Sequence, residues 1–246
     1  MMSLFLASAR AEETAAEILE TVETEPTWGQ EAVEKFAETP LTMWVAILAV
    51  AALAAIFLKV GKSHKKWNAK TIAYAALAIA LSFVLSCFRL FRMPTGGSVT
   101  PGSMLPLMLF SVSFGMGPGL MAGLVYGLLQ YLQGGWWLNF WQFLLDYVLA
   151  FAAIGLAGIA HKKGDKWLYI GIPVAAVGRA VSAILAGMMW IADTPVSELV
   201  IGNMQFNSPL LYSIVYNGLY LVPDCAICML LALLIAKPLL RIMKTK

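Results

Sequence analysis

Apolar and polar residues do not alternate along this chain; they segregate into long apolar blocks separated by short polar or glycine-rich breaks. The blocks fall at residues 41–58, 71–88, 104–113, 120–132, 137–160, 167–191 and 209–236. The longer ones approach or exceed the roughly 20 residues that an α-helix needs to cross the hydrocarbon of a bilayer. Lipid cannot satisfy unpaired backbone groups, and no block shows the two-residue period of a barrel strand, so helices are predicted throughout. Composition agrees. Of the 246 residues 60% are hydrophobic and 13% charged, about half the charge of a soluble domain. The expected fold class is an all-α integral membrane protein with seven spans.

The polar breaks predict orientation. Lys59, Lys62, Lys65, Lys66 and Lys70 follow the first block; His161-Lys-Lys-Gly-Asp-Lys166 follows the fifth; Lys237, Arg241, Lys244 and Lys246 follow the last. Basic residues in short loops are retained in the cytoplasm, which puts the N-terminus outside and the C-terminus inside. The net charge of +3 hides an asymmetry, because residues 1–41 hold nine glutamates against Arg10 and Lys35. The expected domains are an acidic extracellular arm at 1–40, an additional transmembrane helix with its basic cytoplasmic linker at 41–70, and a six-helix membrane domain at 71–246. Residues 2–11 lack the basic start and the apolar length of a signal peptide. No basic patch with interleaved aromatics points to nucleic acid.

Candidate chemistry concentrates inside the blocks. Asp146 lies roughly 13 Å into the fifth block, where an ionised side chain costs about 2.5–3.5 kcal/mol unless it meets a partner or a wet cavity. Gln142 precedes it by four residues on the same helix face, and Tyr147 is adjacent. The simplest competing reading is a buried helix–helix hydrogen bond without a ligand. In the last block Tyr212, Tyr216, Tyr220 and Asp224 recur at four-residue steps, with Asn217 beside them, as one slowly winding polar-aromatic face. Phenols and amides inside lipid need hydrogen-bond partners, which favours a binding surface. Arg179, near the middle of the sixth block, needs a partner for the same reason. Tyr126 and Gln130 share a face of the fourth block. Residues 89–103, with two Gly-Pro-containing turns, form a shaped connection or a lid. Ala76-x-x-x-Ala80 is a small-residue pattern that lets another helix approach. Cys225-x-x-Cys228 has no second pair or histidine cluster beside it, so helix packing is its expected role. No phosphate-binding G-x-x-x-x-G-K-[ST] loop and no H-E-x-x-H occur, and no cofactor is implied. Three function classes follow: a substrate-binding transport subunit, a proton-coupled secondary transporter of a small organic cation with Asp146 and Asp224 as carriers, and, least supported, an intramembrane enzyme.

Phe91-Arg-Met-Pro-Thr-Gly-Gly-Ser-Val-Thr100, then Leu144-Leu-Asp-Tyr147 with Ala150-Phe-Ala-Ala153 and Gly155-Leu-Ala-Gly158, then Leu211-Tyr-Ser-Ile-Val-Tyr-Asn-Gly218 with Val222-Pro223, resemble the ThiT/YuaJ family. These are the thiamine-specific substrate-binding (S) components of energy-coupling factor (ECF) vitamin transporters. The resemblance covers roughly residues 70–240. It implies a six-helix S component in the cell membrane that captures thiamine outside and associates with a transmembrane T component and two ATPase subunits, with no catalysis of its own. By position it implies that Asp146 faces the cationic ligand with Tyr147 beside it, and that Tyr126, Tyr212, Asn217 and Trp190 contribute to the pocket. Gln142 and Tyr216 join this set from their places on the same helix faces. Ala76 and Ala80 match the small-residue motif that docks on the T component. Two departures stand out. Ala183 occupies a position where the family usually has a histidine, which leaves room for a related pyrimidine or thiazole compound. Residues 41–58 and the acidic arm are additional to the six-helix plan.

Overall fold

A computed structural model of the chain describes residues 67–135, 139–163, 165–191 and 194–244. The acidic arm, the expected span at 41–58 with the lysines at 59–66, Trp136 and Trp137, and Asp193 lie outside the described residues.

Among the described residues the chain forms six principal helices: α1 (Ala69–Cys87), α2 (Leu105–Phe114), α3 (Met116–Leu132), α4 (Phe140–Ala160), α5 (Leu168–Trp190) and α6 (Pro209–Lys244). By length and composition α1, α4, α5 and α6 can each cross a membrane; α2 is a shorter apolar helix. Large apolar side chains face outward on these helices, including Ile72 and Leu77 on α1, Val177 and Val181 on α5 and Leu234 on α6. Such an exterior is stable in lipid and not in water.

Local signals explain the helix ends. Asn68 caps α1 by accepting from the Thr71 amide at 2.8 Å, and Asn139 caps α4 by accepting from the Gln142 amide at 2.9 Å. The glycine-rich break between the blocks at 104–113 and 120–132 contracts to one residue. Gly115 adopts φ +106°, and Met116-Gly-Pro-Gly119 already belongs to α3. Pro118 is tolerated because an amide in the first helical turn has no intrahelical acceptor. Helix α6 runs past Lys237, where a stop was expected, through Pro238 to Lys244.

Helix α2 is buried on nearly every side, with Leu105, Leu107, Met108, Leu109 and Phe110 at or below 3% exposure, and forms the centre of the bundle. Helices α3 and α4 meet along a glycine seam. A Cβ at Gly123 would overlap the Phe151 carbonyl oxygen, one at Gly127 the Tyr147 carbonyl oxygen, and one at Gly155 the backbone of Gly119 and Leu120. In lipid, where no hydrophobic gain drives helices together, such close backbone approach supplies the packing. On α1, Ala75 and Ala78 turn into the core, whereas Ala76 and Ala80 are exposed.

Two short hairpins lie in the connections. Strand β1 (Phe91–Arg92) pairs antiparallel with β2 (Ser98–Val99), Phe91 opposite Val99, between α1 and α2. Strand β3 (Val200–Ile201) pairs with β4 (Met204–Gln205) between α5 and α6. The tip of the first hairpin, Gly96 and Gly97, lines the site described below.

Candidate functional site

Helix α4 delivers Gln142, Asp146 and Tyr147 to the interior. Between Leu144 and Leu149 its backbone forms a π-helical turn, a feature concentrated at functional sites. Asp146 and Tyr147 border two adjoining recesses, of about 100 Å³ and about 130 Å³, that share Gly96, Gly97, Ala183 and Tyr220 as their common walls. The first recess adds Gln142, Trp190, Tyr212, Ser213, Tyr216 and Asn217. The second is lined by Ser86, Arg89, Arg92, Gln130, Gln133 and Arg179, so donors of hydrogen bonds predominate there.

The electrostatics separate the two acids of the site region. Gln142 Nε2 donates to Asp146 Oδ2 at 3.1 Å. Arg179, a partly buried cation that lines the second recess together with Asp146, forms its ion pair elsewhere. Its Nη1 lies 3.6 Å from Asp224 Oδ2 and 2.9 Å from Met104 Sδ, and its guanidinium stands 4.5 Å from the centre of the Phe151 ring. Asp224, 1% exposed, also accepts from the Thr100 amide at 3.0 Å and from the Thr100 hydroxyl at 2.8 Å, and it lines neither recess.

The aromatic stripe of α6 seats the connection between α1 and α2. The Tyr216 hydroxyl accepts from the Thr95 amide and donates to the Gly96 carbonyl, both at 2.9 Å. Gly97, at φ +86°, lies directly on Tyr220, whose ring a Cβ would meet at 2.6 Å; only glycine satisfies both constraints. Asp224 then holds Thr100, one turn farther along α6. The Tyr212 and Tyr216 rings stack at 5.9 Å with an interplanar angle of 13° and wall the first recess.

Of the eight residues expected at the site, Asp146, Tyr147, Gln142, Trp190, Tyr212, Tyr216 and Asn217 are brought together around the recesses. Trp190 borders the first recess with 37% of its surface exposed. Asn217 is held by its own neighbours: its Nδ2 donates to the Ser213 carbonyl at 2.9 Å, and its Oδ1 accepts from the Tyr220 hydroxyl at 2.7 Å. Tyr126 is not brought to the cavity. Its ring packs edge-on against Phe151 at 5.2 Å and its hydroxyl donates to the Ser82 carbonyl at 3.2 Å, so its place is in the core. The sequence reading missed Ser213 and the lining roles of Gly96, Gly97 and Tyr220. The Gly-Gly pair carried a turn signal and Tyr220 stood in the stripe, but Ser213 had no signal.

The sequence and the fold match known proteins. Residues 72–244 match the family model described as "Thiamine transporter protein (Thia_YuaJ)". The chain is 32% identical over 178 residues to the thiamine transporter ThiT of Bacillus subtilis, covering 69% of this chain and 90% of that protein. It is 29% identical over 124 residues to the thiamine transporter ThiT of Lacticaseibacillus paracasei, covering 48% of this chain and 58% of that protein. The fold matches the solved structure of ThiT from Listeria monocytogenes with a TM-score of 0.55 over 70% of this chain and 94% of that one, at 23% identity.

Proposed function

We propose, on the premise that this chain belongs to the thiamine transporter protein family, that it is the substrate-binding component of an ECF-type importer and captures thiamine or a close relative from outside the cell. It is a multi-pass membrane transport protein and not an enzyme. One observation carries the ligand reading. Asp146 borders a cavity walled by Tyr147, Tyr212, Tyr216 and Trp190, while Arg179, the partly buried cation of the adjoining recess, pairs with Asp224.

The chemistry fits a flat cation. Thiamine joins a pyrimidine to a positively charged thiazolium. Asp146 supplies the opposite charge, and the stacked Tyr212 and Tyr216 rings with Trp190 supply flat π faces worth about 0.5–2 kcal/mol each to a cation. The Gln142 amide holds the carboxylate in place. The Thr95–Gly97 tip closes over the ligand and excludes water, which strengthens the charge pairing. The second recess receives the polar tail of the ligand.

Energy for import comes from a T component and two ATPase subunits, with Ala76 and Ala80 on the exposed face of α1 as the docking surface. The orientation is N-terminus out and C-terminus in, the cavity opening outward, with residues 41–58 as an additional span ahead of the six-helix domain. The alternative, a self-sufficient proton-coupled transporter, has less support, because one of its two carriers, Asp224, is locked to Arg179 and Thr100.

Tryptophan-fluorescence titration of the purified chain tests the reading. Thiamine is expected to quench the signal saturably; no response to thiamine, its phosphates or its precursors would refute it. Uptake by the chain alone in proteoliposomes under a pH gradient would favour the alternative.

A further inference from the structure

Helix α4 changes pitch at the residue on which the cavity depends. Phe140–Phe143 is α-helical, Leu144–Leu149 is π-helical, Ala150–Ala152 returns to α geometry and Ala153–Ala160 tightens to 3₁₀. A π turn carries one residue more than an α turn, so it shifts the helix face on either side by about 100° relative to an uninterrupted α-helix. It also weakens the ladder, leaving carbonyls that need a second partner or room to splay.

Both needs are met by neighbouring helices. The Leu145 carbonyl, one residue before Asp146, accepts the Ala150 amide five residues on and also the Ser182 hydroxyl of α5 at 2.6 Å. The Tyr147 carbonyl, one residue after Asp146, projects into the space that a Cβ on Gly127 of α3 would fill. Asp146 is therefore flanked by two braced carbonyls. Ser182 is 7% exposed and borders neither recess, so it acts without touching the ligand.

We propose that Ser182 is a positioning residue for charge recognition: by holding the Leu145 carbonyl it maintains the π turn that aims Asp146 at the ligand. Gly127 makes the room that turn requires. This rests on the reading that Asp146 meets a cation.

The test compares two ligands on the purified full-length chain: thiamine, and its analogue in which a neutral thiophene replaces the thiazolium. A residue that merely stabilises the fold would alter binding of both alike. For Ser182→Ala the preference for the cation is expected to fall about tenfold, through misplacement of the carboxylate, with affinity for the neutral analogue within about threefold of wild type. Ser182→Thr, which keeps the hydroxyl, is expected to retain the wild-type preference, and Ser182→Cys, a weaker donor, to fall between. Ser111→Ala, which removes a buried serine bonded to the Leu107 carbonyl away from the cavity, is expected to leave the preference unchanged. A wild-type preference in Ser182→Ala, with the preference lost in Asp146→Asn, would overturn the proposal, as would equal weakening of both ligands. Wild-type protein that binds the two ligands alike would overturn the functional reading and this inference with it.

Discussion

Asp146 and Asp224 are both acids within membrane-spanning helices, and their surroundings differ in kind. Asp224 on α6 meets an arginine at 3.6 Å and two donors from Thr100, and it is sealed from the recesses. Asp146 on α4 receives one side-chain donor, Gln142, and borders both recesses. A buried carboxylate with a complete set of partners contributes architecture. One with an incomplete set beside a cavity is, on the function proposed above, the recognition element, because an external cation would supply what the protein withholds. The comparison also separates the loop's two anchors: Asp224 grips its base at Thr100, and Tyr216 touches its tip at Thr95 and Gly96.

Substitutions ranked by their effect on ligand affinity can break or sharpen this contrast. Asp146→Asn is expected to cost about 3 kcal/mol, about a hundredfold in the thiamine Kd, measured by calorimetry, because the cation loses its counter-charge in a low-dielectric site. Asp224→Asn should change the Kd by less than about tenfold while lowering the thermal unfolding temperature, since it leaves the partly buried Arg179 without its carboxylate partner. Equal effects of the two substitutions on affinity would erase the distinction. Tyr216→Phe removes both hydrogen bonds at the tip, together worth about 1 kcal/mol at the low end of the net range, and should speed ligand release about fivefold in stopped-flow fluorescence. Ala80→Leu should leave the Kd unchanged while a pull-down of the ATPase subunits fails, because the added bulk holds the partner helix away from α1.

Much of the framework was legible in the residues. The blocks at 71–88, 167–191 and the start of the 209–236 block correspond to α1, α5 and the beginning of α6, because sustained apolarity leaves a helix as the only lipid-compatible backbone. The place of Asp146 beside a recess was legible for the same reason: a charge in lipid demands a partner or a cavity. The stripe from Tyr212 to Asp224 was visible as one face, yet its division of labour was not. Four-residue spacing shows that side chains align, and says nothing about whether a loop or a ligand lies against them. Tyr126 was misread because one phenol on an apolar helix looks alike whether its hydroxyl meets a ligand or, as here, the Ser82 carbonyl. The glycines at 119, 123 and 127 repeat every four residues, an interval the sequence reading passed over, and the structure shows them forming the seam with α4.

What the chain determines alone is therefore whatever depends on residue type and interval: helices from apolar runs, a costly acid in the fifth block, turns at glycine and proline. What only the assembled bundle decided is pairing. Arg179 had two carboxylates within the membrane to choose between, separated from it by 33 and 45 positions, and no local rule selects one. Packing brought Asp224 to it and left Asp146 facing the open space. The π turn belongs to the same class, since it persists through a serine on α5 and a glycine on α3 that local sequence does not connect to it.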